Sequence, residues 1–258
     1  MDIQRVFAVY FSPTHGTKGY VEGIAKRIRD DYEVIDLTKP ETRGKTYTFT
    51  ENDLVILGAP VYAGRLPSVP GGIFDKLKGN HTPAVFNVSY GNRDFDDALL
   101  EEKEICEANG FKGIAAAAWI APHTFSDKIA ASRPDDEDVH EVDEFTAQIK
   151  TILDGDLPEH DLKVPGNHPY KEAKAMPFHP SGKKTCTGCN ICVSVCPVGA
   201  ISAEDPRKTD KTLCIDCLAC AKNCPVDARG IFNPMYGMVV KKLESSLIDN
   251  RKDAQLFY

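Results

Sequence analysis

The sequence predicts a parallel, doubly wound α/β sheet of five strands, followed by a small α+β unit built around metal. Three observations carry this reading. Residues 1–155 alternate apolar runs with amphipathic stretches and contain one cysteine, Cys106. Residues 156–183 turn rich in proline and glycine. Eight of the nine cysteines then fall between Cys186 and Cys224, in two copies of one pattern.

The elements follow in order. Val6–Phe11 reads as a first buried strand, and Tyr32–Leu37, Leu54–Gly58, Ala84–Ser89 and Gly113–Ala121 as four more. Helices are expected at Thr17–Ile28, from about Phe95 to Ala108 before Asn109-Gly110, and at Glu137–Leu153 before Asp154-Gly155. Helices between successive strands imply crossover connections, hence a parallel sheet. In 156–183, proline recurs at 158, 165, 169, 177 and 180, with glycine at 166 and 182, as in a linker over the surface. Residues 184–230 form the cysteine unit. The tail, 231–258, carries a short amphipathic helix near Met238–Ile248. Its face of Val239, Val240, Leu243 and Leu247 is expected to pack on the body or on a second subunit.

The totals exclude several classes. At 258 residues, one or two domains are expected. Apolar content of 42% and charged content of 27% describe a globular chain rather than a disordered one. A net charge of -7 argues against a nucleic-acid binder or a partner of anionic membranes. MDIQRVFAVYF lacks the basic start of a signal peptide and reads as a strand. The longest apolar run, Gly113–Ala121, is too short to span a membrane. The expectation is a cytoplasmic protein, in which clustered thiols bind metal rather than pair as disulfides.

The two runs are CTGCNICVSVCP from Cys186 and CIDCLACAKNCP from Cys214, an internal repeat of CxxCxxCxxxCP. A cubane cluster needs four thiolates at tetrahedral corners. One tight Cys-x2-Cys-x2-Cys loop supplies three, so the fourth comes from elsewhere. Pro197 and Pro225 fix the backbone after each last cysteine. Zinc is the competing reading, but zinc sites usually draw on two separated pairs of ligands. Residues 184–230 resemble the bacterial two-[4Fe–4S] ferredoxins, in which the last cysteine of each run ligates the other cluster. That resemblance implies Cys186, Cys189, Cys192 and Cys224 for one cluster, and Cys214, Cys217, Cys220 and Cys196 for the other. It also implies a low-potential one-electron relay.

Three loops of the first part carry a second pattern. FSPTHGTKGY, after the first strand, brings Ser12, Thr14 and Thr17 hydroxyls and free helix amides around an anion, and Gly16 eases the turn. It is neither a Walker loop nor a GxGxxG fingerprint. GAPVYAGRLP and SYGNRDFDD follow the third and fourth strands, at the edge where such sheets bind ligands. Small residues beside tyrosine there suit a planar aromatic ligand. Together the loops resemble those of flavodoxins, which bind FMN. The family's phosphate loop matches at Ser12, Pro13, Thr14, Gly16 and Thr17, while His15 replaces a glycine. The resemblance implies that Pro60, Val61, Tyr62, Ala63 and Gly64, with Ser89, Tyr90, Gly91, Asn92 and Arg93, flank the isoalloxazine ring. Tyr62 is the stacking candidate. Asn92 stands where the family often has an aromatic, which leaves one ring face open. The full chain resembles the flavodoxin–ferredoxin fusion proteins of anaerobes.

Four other features are read individually. Cys106 is expected to be a buried, inert thiol. His123 follows the fifth strand, near the ligand edge, and reads first as a hydrogen-bonded loop histidine. Arg93 places positive charge near the flavin. Asp135–Asp138 are expected to form a solvated face at a helix N-terminus. The leading function is electron transfer between redox protein partners, coupling FMN to two clusters. An FMN-dependent reductase of a small acceptor and a structural zinc protein are the alternatives. A head-to-tail homodimer, with one chain's cluster beside the other's flavin, is a further arrangement.

Overall fold

A computed structural model of the chain describes residues 2–155, 160–173 and 176–258. The first part runs β1 (Arg5–Tyr10), α1 (Gly16–Ile28), β2 (Glu33–Asp36), α2 (Pro40–Arg43), β3 (Tyr47–Thr48), β4 (Asp53–Pro60) and β5 (Leu77–Lys78). It continues with β6 (Thr82–Tyr90), α3 (Ala98–Ala108), β7 (Phe111–Ile120) and α4 (Asp136–Asp154). The cysteine unit contributes β8 (Ser181–Gly182), α5 (Ile191–Ser194), α6 (Ala219–Lys222) and β9 (Arg229–Gly230). The tail adds α7 (Pro234–Leu247) and β10 (Gln255–Phe257).

The main sheet is ordered β10-β7-β6-β4-β1-β2. Strands β1, β2, β4, β6 and β7 are mutually parallel. Counted without the tail, their order is 2-1-3-4-5, the flavodoxin-like doubly wound order. Strands buried on both faces need apolar residues at every position, and β4 and β6 are buried almost end to end. Alternate residues then feed two cores. Phe7, Val9 and Phe11 pack on one side with Leu57, Phe86 and Leu99. Val6, Ala8 and Tyr10 pack on the other with Val21, Trp119 and Phe145. Trp119 lies stacked on Tyr20 at 4.9 Å and donates from Nε1 to Asn87 Oδ1 at 2.9 Å. Cys106 is fully buried in the first core, and burial pushes its thiol well up.

Three features differ from the sequence expectation. A sixth strand joins the five: β10 pairs antiparallel with β7, Leu256 opposite Ala117. Three residues between polar neighbours are too few to show a period. The pairing covers the sheet's otherwise open edge. Helix α7 begins earlier than expected, at Pro234, because Asn233 caps it by accepting from Met235 N at 2.9 Å. Third, Asp138 is not solvated. It is fully buried and held by the Arg133 guanidinium, while Asp135 and Asp138 close a capping box at the start of α4.

Residues 156–159, within the expected linker, lie outside the described residues, as do 174 and 175. The described part of 156–183 is tied to the body. Leu162 is buried in the first core, and Asp97 accepts from Asn167 N and Lys171 N at 2.8 and 2.6 Å.

One buried group has a pH consequence. Glu102 on α3 is fully buried; Oε1 accepts from Asn87 N at 3.3 Å, and Oε2 has no partner among the described residues. Burial raises its pKa well above the usual 4.5. Below pH 4.5 both folded and unfolded chains are protonated, and no cost arises. Above it the unfolded chain ionises first, so stability falls by up to about 1.4 kcal/mol per pH unit until the folded pKa is reached. Glu102→Gln is expected to remove that slope. Denaturant midpoints of the two proteins should coincide near pH 4 and separate toward pH 8, with the variant more stable. Parallel curves across that range would refute this.

Candidate functional site

The carboxyl ends of the parallel strands open into one cleft of about 790 Å3. The residues expected there from all three loops line it, with the exception of Asn92. His15 is the N-cap of α1 and takes the left-handed backbone, φ 67°, at the position where the resemblance puts glycine. It makes no side-chain cap, and Ser12 Oγ instead accepts from Lys18 N at 3.0 Å. The first-turn amides of a helix have no intrahelical partners, and here that end faces the cleft, which suits an anion. Thr17 Oγ1 and Ser89 Oγ lie 2.7 Å apart and join the first loop to the third.

The second loop is held rigid from below. Tyr62 and Arg65 exchange backbone hydrogen bonds at 2.9 and 3.1 Å around Ala63 and Gly64, both with positive φ. A side chain at Gly64 would collide with Asp96. Arg65 pairs with Glu101 of α3 at 2.7 Å, and the same carboxylate accepts from Leu66 N at 2.9 Å.

In the third loop Gly91 lets His123 approach: a Cβ there would lie 2.5 Å from the His123 ring. His123 Nδ1 accepts from Phe125 N at 3.0 Å. Burial, then the charges of Lys222 and Arg93, lower its pKa to about 4. The ring is therefore neutral at pH 7, with the proton on Nε2, and it lines the cleft as a donor. Arg93 lines the cleft too, paired with Asp96.

Asn92 is a correction. Its φ is 62°, its side chain is buried, and Nδ2 donates to Leu247 O at 2.9 Å and Asn250 O at 2.6 Å. It fastens the end of α7 to the third loop and does not face the cleft. The left-handed backbone that turns Asn92 away from Tyr90 is not marked by any neighbouring sequence pattern.

The cysteines gather around two small cavities. One is lined by Cys186, Cys189, Cys192 and Cys224, the other by Cys196, Cys214, Cys217 and Cys220. Each set takes three residues from one run and the last from the other. The halves repeat in detail. Left-handed Asn190 and Leu218 start α5 and α6. Ala200 N donates to Cys196 Sγ at 3.2 Å, and Ala228 N to Cys224 Sγ at 3.3 Å. Four thiols around each cavity, with amides turned on sulfur, fit a tetrahedral sulfur-liganded centre.

Sequence reasoning missed how the two parts meet. Thr212, Leu213, Cys214, Ile215 and Asp216 of the cysteine unit line the same cleft as the three loops. Tyr62 stands at the junction: burial raises its phenol well above 10, and Cys217, Asp216 and Cys214 add to the rise. Asp216 Oδ1 lies 2.8 Å from His179 Nδ1 and 3.5 Å from Cys214 Sγ. Below the cleft, buried Arg43 donates to Leu37 O and, across the junction, to Pro197 O, both at 2.8 Å. Val198 and Ile215 pack against the first core. None of these contacts has a local sequence signal, because each joins residues far apart in the chain.

Residues 185–228 match the family described as "4Fe-4S dicluster domain". Among curated proteins, NADH-quinone oxidoreductase subunit I of Acinetobacter baylyi is 32% identical over 66 residues. The match covers 26% of this chain and 35% of that protein, so the chain spans about a third of that relative's length. A solved structure titled "Structure of a flavodoxin from the domain Archaea" is 15% identical with a TM-score of 0.41, covering 59% of this chain and 100% of that one. The strand order, rather than this likeness, carries the fold. The chain thus joins a flavodoxin-like sheet to a 4Fe-4S ferredoxin dicluster domain. Among the described residues no helix is long and apolar enough to cross a membrane.

Proposed function

We propose that the chain is an electron-transfer protein coupling two [4Fe–4S] clusters to FMN. Cys186, Cys189, Cys192 and Cys224 would hold one cluster, and Cys214, Cys217, Cys220 and Cys196 the other. Ser12, Thr14, Gly16 and Thr17 would hold the FMN phosphate, and the loops of Tyr62 and Tyr90 its ring. When bound, the clusters supply one-electron transfer and FMN both one- and two-electron chemistry. The observation that carries this reading is the shared cleft: Cys214 and Ile215 line it together with the three loops. The second cysteine set and the cleft belong to one chain, which supports transfer within a subunit. Linking the two parts also raises their effective concentration. Tyr62 stands between the loops and the cysteine unit, and Arg43 keeps the parts in register. The partners are donor and acceptor redox proteins of the cytoplasm.

The test is anaerobic preparation of the full chain, with iron, sulfide and flavin quantified and a redox titration. About eight irons and about one FMN per chain are expected. Zinc without flavin would refute the proposal. One observation favours a second reading, a reductase of a small acceptor: Lys222, Arg93 and the neutral His123 donor line the cleft beside the loops. Such a wall suits an anionic acceptor. Steady turnover of a small anionic acceptor with reduced ferredoxin as donor would select that reading.

A further inference from the structure

Arg229 opens β9, the short strand that pairs with β8 and closes the second half of the cysteine unit. Its side chain is buried, with the residue 6% exposed. Its terminal nitrogens hold the stretch between the two runs: Nη1 donates to Pro206 O and Nη2 to Thr209 Oγ1. Nε is different. It is buried and has no hydrogen-bond partner among the described residues. No carboxylate among the described residues pairs with this guanidinium either. Asp205 is paired with Arg207, Asp210 bonds Thr212, and Asp216 bonds His179. Arginine is never neutral in a protein, so this is a buried cation without a counter-charge and with one idle donor. Such a group is strongly destabilising unless something negative lies against it.

The surroundings say what that is. Arg229 lines the first cavity with Cys192 and Cys224. Thr209, which it bonds through Nη2, lines the second cavity with Cys220. Cys192 and Cys220 pack together with Ile201 in the small core between the cavities. The guanidinium therefore stands in the wall of the first cavity and is one hydrogen bond from the wall of the second.

We infer that Arg229 is a positioning residue of the iron–sulfur unit, in the wall of the first site, whose fixed charge and idle Nε–H hold the reduction potentials of the clusters up. This rests on the cluster loading proposed above. An oxidised cluster with four thiolates carries a net charge of about -2, and the added electron makes it more negative. A nearby permanent cation and an N–H donor to sulfur stabilise the more negative form.

The test uses the full chain, loaded anaerobically, with iron and sulfide counted and each cluster titrated reductively by EPR. Arg229→Met is expected to retain both clusters while the equilibrium constant for adding one electron falls at least tenfold at one or both. Tenfold is 59 mV for a one-electron couple. Arg229→Lys keeps the charge and is expected to restore most of that loss, which a merely structural role would not predict. Full iron with unchanged potentials in Arg229→Met would overturn the inference. A second measurement needs no loss of the side chain. In the reduced wild-type protein labelled with 15N-arginine, pulsed EPR should show a nitrogen coupling that Arg229→Lys abolishes; absence of that coupling also overturns it. A wild-type preparation without iron instead refutes the cluster assignment itself, so the two failures are distinct.

Discussion

Cys196→Ser is expected to strip the iron from the cysteines of the other run. Cys196 closes the first run, yet it lines the second cavity with Cys214, Cys217 and Cys220. A serine there leaves Cys186, Cys189, Cys192 and Cys224 complete around the first cavity. Iron should fall from about eight to about four per chain, with one cluster signal remaining. Cys224→Ser should produce the mirror result and spare the second cavity. The pairing is decided by combining each with Cys214→Ser. Cys196→Ser with Cys214→Ser should retain about four irons, since both changes strike one site. Cys224→Ser with Cys214→Ser should retain almost none. If instead Cys224→Ser with Cys214→Ser retains about four irons, or if Cys196→Ser destroys the first run's cluster, the crossed assignment is wrong.

Arg133→Ala is expected to cost about 3–5 kcal/mol of stability, because it leaves a buried carboxylate without its cation. The Arg133 and Asp138 side chains are 5% and 0% exposed. Arg133 Nη1 also donates to Lys252 O at 2.9 Å, which fastens the tail to the start of α4. Arg251 adds a bond to Asp135 at 2.5 Å. Replacing both partners with apolar residues, Arg133→Met with Asp138→Leu, should recover much of the loss, since the charge that needed compensation is gone. Denaturant melts of the three variants measure this. Hydrogen exchange adds a second readout: amides of 255–257 should exchange faster in Arg133→Ala. A single variant as stable as the wild type would show that the pair contributes nothing.

What was legible in the sequence was legible for physical reasons. Strands β1, β4, β6 and β7 are buried on both faces over most of their length, so their residues are mostly apolar rather than alternating. The cysteine runs announced themselves because a thiol repeated at fixed spacing has few other uses. The loops at Ser12, Tyr62 and Tyr90 could be placed because a doubly wound sheet fixes where its ligand edge lies. The rest depends on contacts that leave no local pattern. Asn92 looked like a ligand residue because it is two positions from Tyr90, but its left-handed backbone points it at Leu247. Asp138 sits in an acidic run that resembles any solvated helix start. Its one clue was the lone Arg133 just before it. Arg43 to Pro197 spans 154 residues, and only the folded chain shows it. Arg229 reads as one of six Lys/Arg in the unit; only its burial and idle nitrogen set it apart.

The clip formed by β10 has a consequence for biosynthesis. The ribosome releases residues 5–120, the strands of the parallel sheet, long before it reaches 255–257. Between the two lie both cysteine runs. The outer edge at β7 therefore stays open while the metal-binding segment emerges, and it closes only afterwards. Asn92 likewise waits for Leu247 and Asn250 before its loop is fastened. The chain's order of manufacture thus makes the last turn of the sheet contingent on the segment that carries the thiols. A nascent chain arrested before residue 245 would present an unguarded β7 edge and a loosened third loop.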